Sequence, residues 1–97
     1  YSDERLKKDI KPINGALETV KKLQGVTYTR KDSGNKDIGF IAQSIERDCP
    51  EIADRIVNTS DDEMGTRHLN YQNMVALLTE AIKDQQQQID QHKNDNT

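Results

Sequence analysis

Apolar residues are sparse along this chain, and the rhythm with which they recur changes from segment to segment. Residues 2–13 are dominated by charge and punctuated by Pro12, which predicts an extended or turn-like stretch. Ala16, Leu17, Val20 and Leu23 then follow helical spacing, so that one face turns inward. Lys21 and Lys22 fall in the last turn of that helix, where its dipole favours positive charge, and Gly25 is placed to stop it. Residues 26–30 are β-branched and aromatic and read as a strand. Turn chemistry at residues 31–36 and an apolar return at 37–41 predict a β-hairpin whose loop is longer than the tight two-residue type. Residues 42–49 read as a short helix with Ile41, Ile45 and Cys49 on one face, ended by Pro50. Residues 51–66 are polar, anchored by Ile52, Ile56 and Val57, with a surface loop at 58–63. Residues 67–69 read as a short strand.

The last segment gives the clearest pattern. Asn70 is a good N-cap. From Tyr71 onward, seam candidates fall at Val75, Leu78, Ile82, Gln85, Ile89 and His92, with alternating steps of three and four. This is a heptad seam, with Val75, Ile82 and Ile89 in one core position and Leu78, Gln85 and His92 in the other. Gln85 and His92 read best as a polar layer that sets register, rather than as ligands. Leu77 and Ala81 flank the seam and are placed to pack on the rest of the chain. The expected organisation is one α+β domain over residues 1–97. Residues 1–69 form a globular part with a β-hairpin and short helices, 70–92 a coiled-coil helix, and 93–97 a frayed tail.

Composition narrows the picture. With 97 residues and 32% hydrophobic content, three Tyr, one Phe and no Trp, the chain would struggle to build a large core alone. Apolar surface buried between copies of the chain is the better reading, given the heptad. A net charge of −3 with interspersed signs leaves no clustered positive footprint for nucleic acid and no basic amphipathic helix for a membrane surface. No apolar run approaches the length needed to span a bilayer. The single cysteine, Cys49, cannot pair within one chain, and before Pro50 it reads as a helix-end packing residue.

Candidate chemistry lies at the start of the chain. Ser2 and Lys7 are the minimum equipment for a peptidase that needs neither histidine nor aspartate. A serine hydroxyl becomes a nucleophile only when a base removes its proton. Lysine serves as that base only if burial or nearby positive charge brings its pKa from ~10.4 toward roughly 7–8. Arg5 and Lys8 are near in sequence and supply such charge. The spacing does not stack the two side chains on a helix, so a bend must bring them together. On residues alone the spacing is a weak signal, and Ser2 reads better as a helix N-cap with Asp3 and Glu4 in its first turn, leaving Lys7 solvated. His68 reads as an exposed residue at a strand edge, although it has the chemistry of a base. Asp61, Asp62 and Glu63 lack the glycine and ligand spacing of a calcium loop and read as a solvated turn. No cofactor or metal is called for.

These residues carry a resemblance. The opening string Ser2-Asp3-Glu4-Arg5-Leu6-Lys7-Lys8-Asp9-Ile10 resembles the start of the peptidase S74 family, the intramolecular chaperone domain of phage tailspikes, endosialidases and neck appendage proteins. Three later blocks agree in order. They are Ala16-Leu17-Glu18 through Leu23, Gly25, Val26 and Tyr28; Gly39-Phe40-Ile41-Ala42-Gln43 followed by Pro50-Glu51; and Leu69-Asn70-Tyr71 with residues 76–83. The resemblance implies a homotrimer, so that the long C-terminal helix forms a trimeric coiled coil with Val75, Leu78, Ile82, Gln85 and Ile89 in its seam. It implies a domain that helps an upstream fibre or spike of the same polypeptide to fold and then releases itself. Ser2 would be the nucleophile, Lys7 the general base and Tyr1–Ser2 the scissile bond, cut once in cis. The setting implied is a virion tail or appendage precursor, made in the host cytoplasm and released after cleavage. The alternative is a trimerising cap of a fibre that does no chemistry.

Overall fold

The computed structural model describes residues 1–95. A 3-10 turn at Glu4–Leu6 is followed by α1 (Ala16–Val20), β1 (Val26–Thr29), β2 (Lys36–Gly39), α2 (Ala42–Asp48), α3 (Pro50–Ile56), β3 (Val57–Thr59), β4 (Arg67–Leu69) and α4 (Tyr71–Asp95). The fold is α+β, as the sequence predicts, with two separate antiparallel hairpins rather than one continuous sheet. In the first, Val26 faces Gly39 and Thr29 faces Lys36. In the second, Val57 faces Leu69 and Thr59 faces Arg67.

α4 is the wall that both parts of the core share. Ile45, Cys49 and Ile56 pack on its Met74, with Leu23, Phe40, Ile52, Val57 and Leu69 around them. Ala16 packs on Leu77 and Ala81, with Leu17 and Val20 beside it. The alanines matter here, because small side chains let the short α1 lie close against the long helix. Leu77 and Ala81 therefore take the packing role the sequence assigns them. Cys49 is fully buried at the junction of α2 and α3, its thiol near the carbonyl of Thr19. Burial pushes that thiol above its ordinary pKa, so its role is packing.

Three sequence expectations need correction. The first helix stops at Val20 rather than running to Gly25. The N–H groups of Lys22 and Leu23 bond to the carbonyls of Thr19 and Val20, which tightens the end into a turn. Residues 51–66 are not irregular throughout. Pro50 ends α2, as expected, but it also opens α3 as an early helical residue, where a ring with no N–H fits. Ile52 and Ile56, one turn apart, put that helix's inner face on the core, and its exit residue Val57 begins β3. Finally, α4 continues through Lys93, Asn94 and Asp95, where fraying is expected. Asn96 and Thr97, the rest of that expected tail, lie outside the described residues.

Asn70 caps α4 as predicted, its side-chain oxygen accepting the N–H of Asn73 at 3.0 Å. The helix is 25 residues long, which at 1.5 Å per residue is about 37 Å. Its first half packs on the globular part. Its second half, from Gln85 onward, is exposed in the isolated chain.

Candidate functional site

Two features compete for attention, an exposed arm at the start of the chain and an exposed stripe on α4. In the arm, residues 1–15 are all exposed. Asp3, not Ser2, caps the 3-10 turn, its carboxylate accepting the backbone N–H of Arg5 at 2.8 Å. The Arg5 guanidinium closes a fork on the same carboxylate at 3.1 and 2.7 Å, and holds it below the usual aspartate range. The N-cap alternative for Ser2 is therefore corrected: the cap is the next residue. Ser2 precedes the turn. Lys7 follows it in extended conformation, with its backbone N–H bonded to the carbonyl of Glu4.

The turn is the bend that a Ser2–Lys7 pair needs. Among the described residues, however, no hydrogen bond joins the two side chains, and both are exposed. No element of this protomer covers Lys7, and Arg5, a candidate source of repulsion, is occupied with Asp3. Beyond Lys8 the chain turns sharply at Asp9, whose φ of 55° is in the left-handed region, tolerated by aspartate better than by most residues. Leu6 and Ile10 stay exposed on this arm. The arm thus presents a serine hydroxyl and a lysine side chain, both exposed, on either side of a turn.

The stripe on α4 is the second feature. Val75, Leu78, Ile82 and Ile89 are 62%, 37%, 66% and 43% exposed, and Gln85 lies exposed among them. All five expected seam residues therefore lie on the side of α4 away from the protomer's own core. Tyr71 continues the stripe upward, half exposed and paired with Phe40 at a ring-centroid distance of 6.4 Å.

The second hairpin carries a contact that the sequence left open. The Ser60 hydroxyl bonds to Nε2 of His68 across β3 and β4. This puts an exposed histidine at a strand, as expected, but with a partner. Asp62, an acid of the same hairpin, is engaged elsewhere: it accepts the N–H of Thr66 at 2.8 Å and its hydroxyl at 2.5 Å. Those bonds hold its carboxyl below the usual range. With no acid orienting the ring, the pair serves as a cross-strand tie and the acidic cluster as a closed turn. Asp84 is a residue whose role sequence reasoning missed. From α4 it accepts the N–H of Leu17 at 3.3 Å, supplying the start of α1 with an acceptor that its own N-cap residue, Gly15, cannot give. The signal was a glycine where a capping side chain belongs.

Comparison with known proteins adds two findings. The sequence profile of the peptidase S74 family, described as chaperone of endosialidase, matches residues 2–54. The chain is 36% identical to the long tail fiber protein Gp37 of Enterobacteria phage K3 over 89 residues, which is 84% of this chain and 7% of that protein. It is 33% identical to the long tail fiber protein Gp37 of Salmonella phage S16 over 101 residues, or 95% of this chain and 13% of that protein. The chain thus spans only a small part of the length of these relatives. No solved structure matches.

Proposed function

Because the chain belongs to the peptidase S74 family of endosialidase chaperones, we propose that it is the assembly chaperone of a phage tail fibre, acting as a homotrimer in the same polypeptide. One observation carries this reading. α4 buries one apolar face in its own protomer and leaves a second, heptad-spaced face exposed, which is the form a helix takes when copies of itself complete it. The likeness to Gp37 long tail fiber proteins supports a fibre as the client. Trimeric fibres need pairing between distant segments and between chains, which makes them slow to fold. A trimerising module raises the local concentration of three chains and fixes their register.

Release is the second half of the proposal. Ser2 Oγ attacks the Tyr1 carbonyl carbon while Lys7 takes the hydroxyl proton. The C–N bond breaks as Lys7 passes that proton to the Ser2 nitrogen. A water molecule then hydrolyses the resulting Tyr1 ester, freeing the Tyr1 carboxylate and the Ser2 hydroxyl in a single cut. Cleavage makes the assembled fibre hard to disassemble, since the chaperone can no longer act on it. In one protomer both residues are solvated, so the groups that shield Lys7 come from the neighbouring copies or the folded client. The cut thereby reports on assembly. A non-catalytic cap fits the same α4 stripe but leaves the bent arm without a task.

The test is expression with the native upstream segment, followed by a denaturing gel. Wild type is expected to give two fragments, and Ser2→Ala and Lys7→Ala one uncut band each. A folded wild type that stays whole would remove the peptidase and leave the cap.

A further inference from the structure

The exposed stripe of α4 is too small to hold copies together by itself, and the surface that continues it lies on the first hairpin. A fully exposed aliphatic side chain offers on the order of 100 Å² of apolar surface. Val75, Leu78, Ile82 and Ile89 are each only part exposed, so together they offer roughly 200–300 Å². A stable interface takes about 800 Å² from each partner, of which roughly 450–500 Å² is apolar. Toward the end of α4 the stripe passes through Gln85, among three further glutamines, before reaching Ile89. It cannot make up the difference in that direction.

At the other end it meets Tyr71, which with Val26, Thr27, Ile38, Gly39 and Phe40 lines an open groove of about 490 Å³. Ile38 is 74% exposed. It faces Thr27 across the hairpin, and Thr27 is exposed too. Nothing in the protomer covers either. The hairpin approaches α4 at Gly39: a Cβ there would stand 3.0 Å from the Tyr71 hydroxyl oxygen and 3.5 Å from the Tyr28 ring, so the tyrosine would have to give by a few tenths of an ångström to admit one. Ile38 and Tyr71 thus line one groove, and Tyr71 heads the exposed stripe of Val75, Leu78 and Ile82.

We infer that a neighbouring copy of this chain covers Ile38 and Tyr71, so that the first hairpin belongs to the interface between copies. The inference rests on the trimer reading above. A second copy is the occupant because the groove that holds Ile38 is lined by Tyr71, the residue from which the heptad stripe starts. A neighbour that covers Val75 and Ile82 and continues onto Tyr71 and Ile38 makes up the missing area.

The test uses the 97-residue chain in sedimentation velocity over a concentration series, comparing wild type, Ile38→Asp, Ile38→Leu and Thr27→Asp. Ile38→Asp and Thr27→Asp are expected to weaken assembly about ten-fold or more while leaving the circular dichroism spectrum unchanged, and Ile38→Leu to match wild type. A trimeric wild type whose Ile38→Asp and Thr27→Asp variants assemble as tightly overturns the inference and leaves the trimer standing. A wild type that stays monomeric overturns the trimer reading itself. In the precursor with its native upstream segment, an Ile38→Asp chain that assembles as tightly as wild type yet no longer gives folded fibre puts the fibre on the hairpin, and also overturns the inference.

Discussion

α4 carries two stripes of the same rhythm, one residue apart. Met74, Leu77, Ala81 and Asp84 make one; Val75, Leu78, Ile82 and Gln85 make the other. The first three residues of the inner stripe are 2–3% exposed, whereas Val75 and Ile82 of the outer stripe are more than half exposed. Hydrophobicity does not separate them, since adjacent leucines fall on opposite sides. What separates them is supply. The inner stripe meets Ala16 of α1 and the cluster built on Ile45, Cys49 and Ile56, and it ends where Asp84 turns to the backbone of α1. The outer stripe is left largely uncovered by the described residues of its own chain. A small protein with few apolar residues has filled one side of its longest helix and, on the proposal above, leaves the other to its copies.

Leu77 and Leu78 give the sharpest way to break that contrast. Leu77→Ala opens a cavity between α1, α3 and α4 and is expected to destabilise the protomer by about 3 kcal/mol, a large share of a small domain's stability. Leu78→Ala, at a site 37% exposed, should change the dilute protomer by less than about 1 kcal/mol. Urea unfolding at low concentration measures both. Equal losses would mean that the outer stripe is part of the protomer's own core.

The outer stripe is broken by Ile82→Asp. Its side chain is 66% exposed in the protomer, so helix content at low concentration should stay as in wild type. In an assembled seam three carboxylates would meet, and like charges in a closed core are strongly unfavourable. The expected result is a monomer by light scattering at concentrations where wild type is trimeric, with a melting temperature that no longer rises with concentration. A variant that still assembles would move the interface off this face.

Asp84→Ala acts at the point where the inner stripe ends. It removes the acceptor for the Leu17 N–H and should cost about 1 kcal/mol, the usual worth of a lost helix-start acceptor. Asp84→Asn should restore most of it. Thermal unfolding of the three proteins decides this; a loss near zero would make the 3.3 Å contact incidental.

The sequence made the outer stripe legible because a heptad is a strong periodic signal over many residues. The hairpin of Val26–Thr29 with Lys36–Gly39 was legible for the same reason, as was the cap at Asn70. α3 was not, because Pro50 serves both as a stop for α2 and as a start for the next helix. With only Ile52 and Ile56 as inward anchors, its periodicity is two residues deep. The arm is the opposite case. Its residues were legible as chemistry, Ser2 and Lys7, but their local geometry turned on whether Ser2 or Asp3 caps the turn. That is a choice between adjacent residues which spacing cannot make.

The smallest effect concerns the clamp that holds α1 and α3 together beside the inner stripe. Lys22 Nζ stands 2.6 Å from Oε1 of Glu51, and the Thr19 hydroxyl donates to the same oxygen at 3.2 Å. The Lys22 ammonium, with the Thr19 hydroxyl adding to it, holds the Glu51 carboxyl below its ordinary 4.5, while Glu51 holds Lys22 above its ordinary 10.5. A depressed carboxyl contributes stability above its unfolded pKa and loses it as pH falls through the folded value. A raised ammonium contributes below its unfolded pKa and loses it as pH rises through the folded value. The clamp is therefore complete between about 4.5 and 10.5 and fails at both ends. Both groups are largely solvated, so screening keeps the contribution small. Glu51→Gln should melt slightly below wild type at pH 7, and the gap should close as pH falls below about 4. A gap of constant size from pH 3 to pH 7 would mean that the carboxylate charge plays no part, and that the inner stripe is held by packing alone.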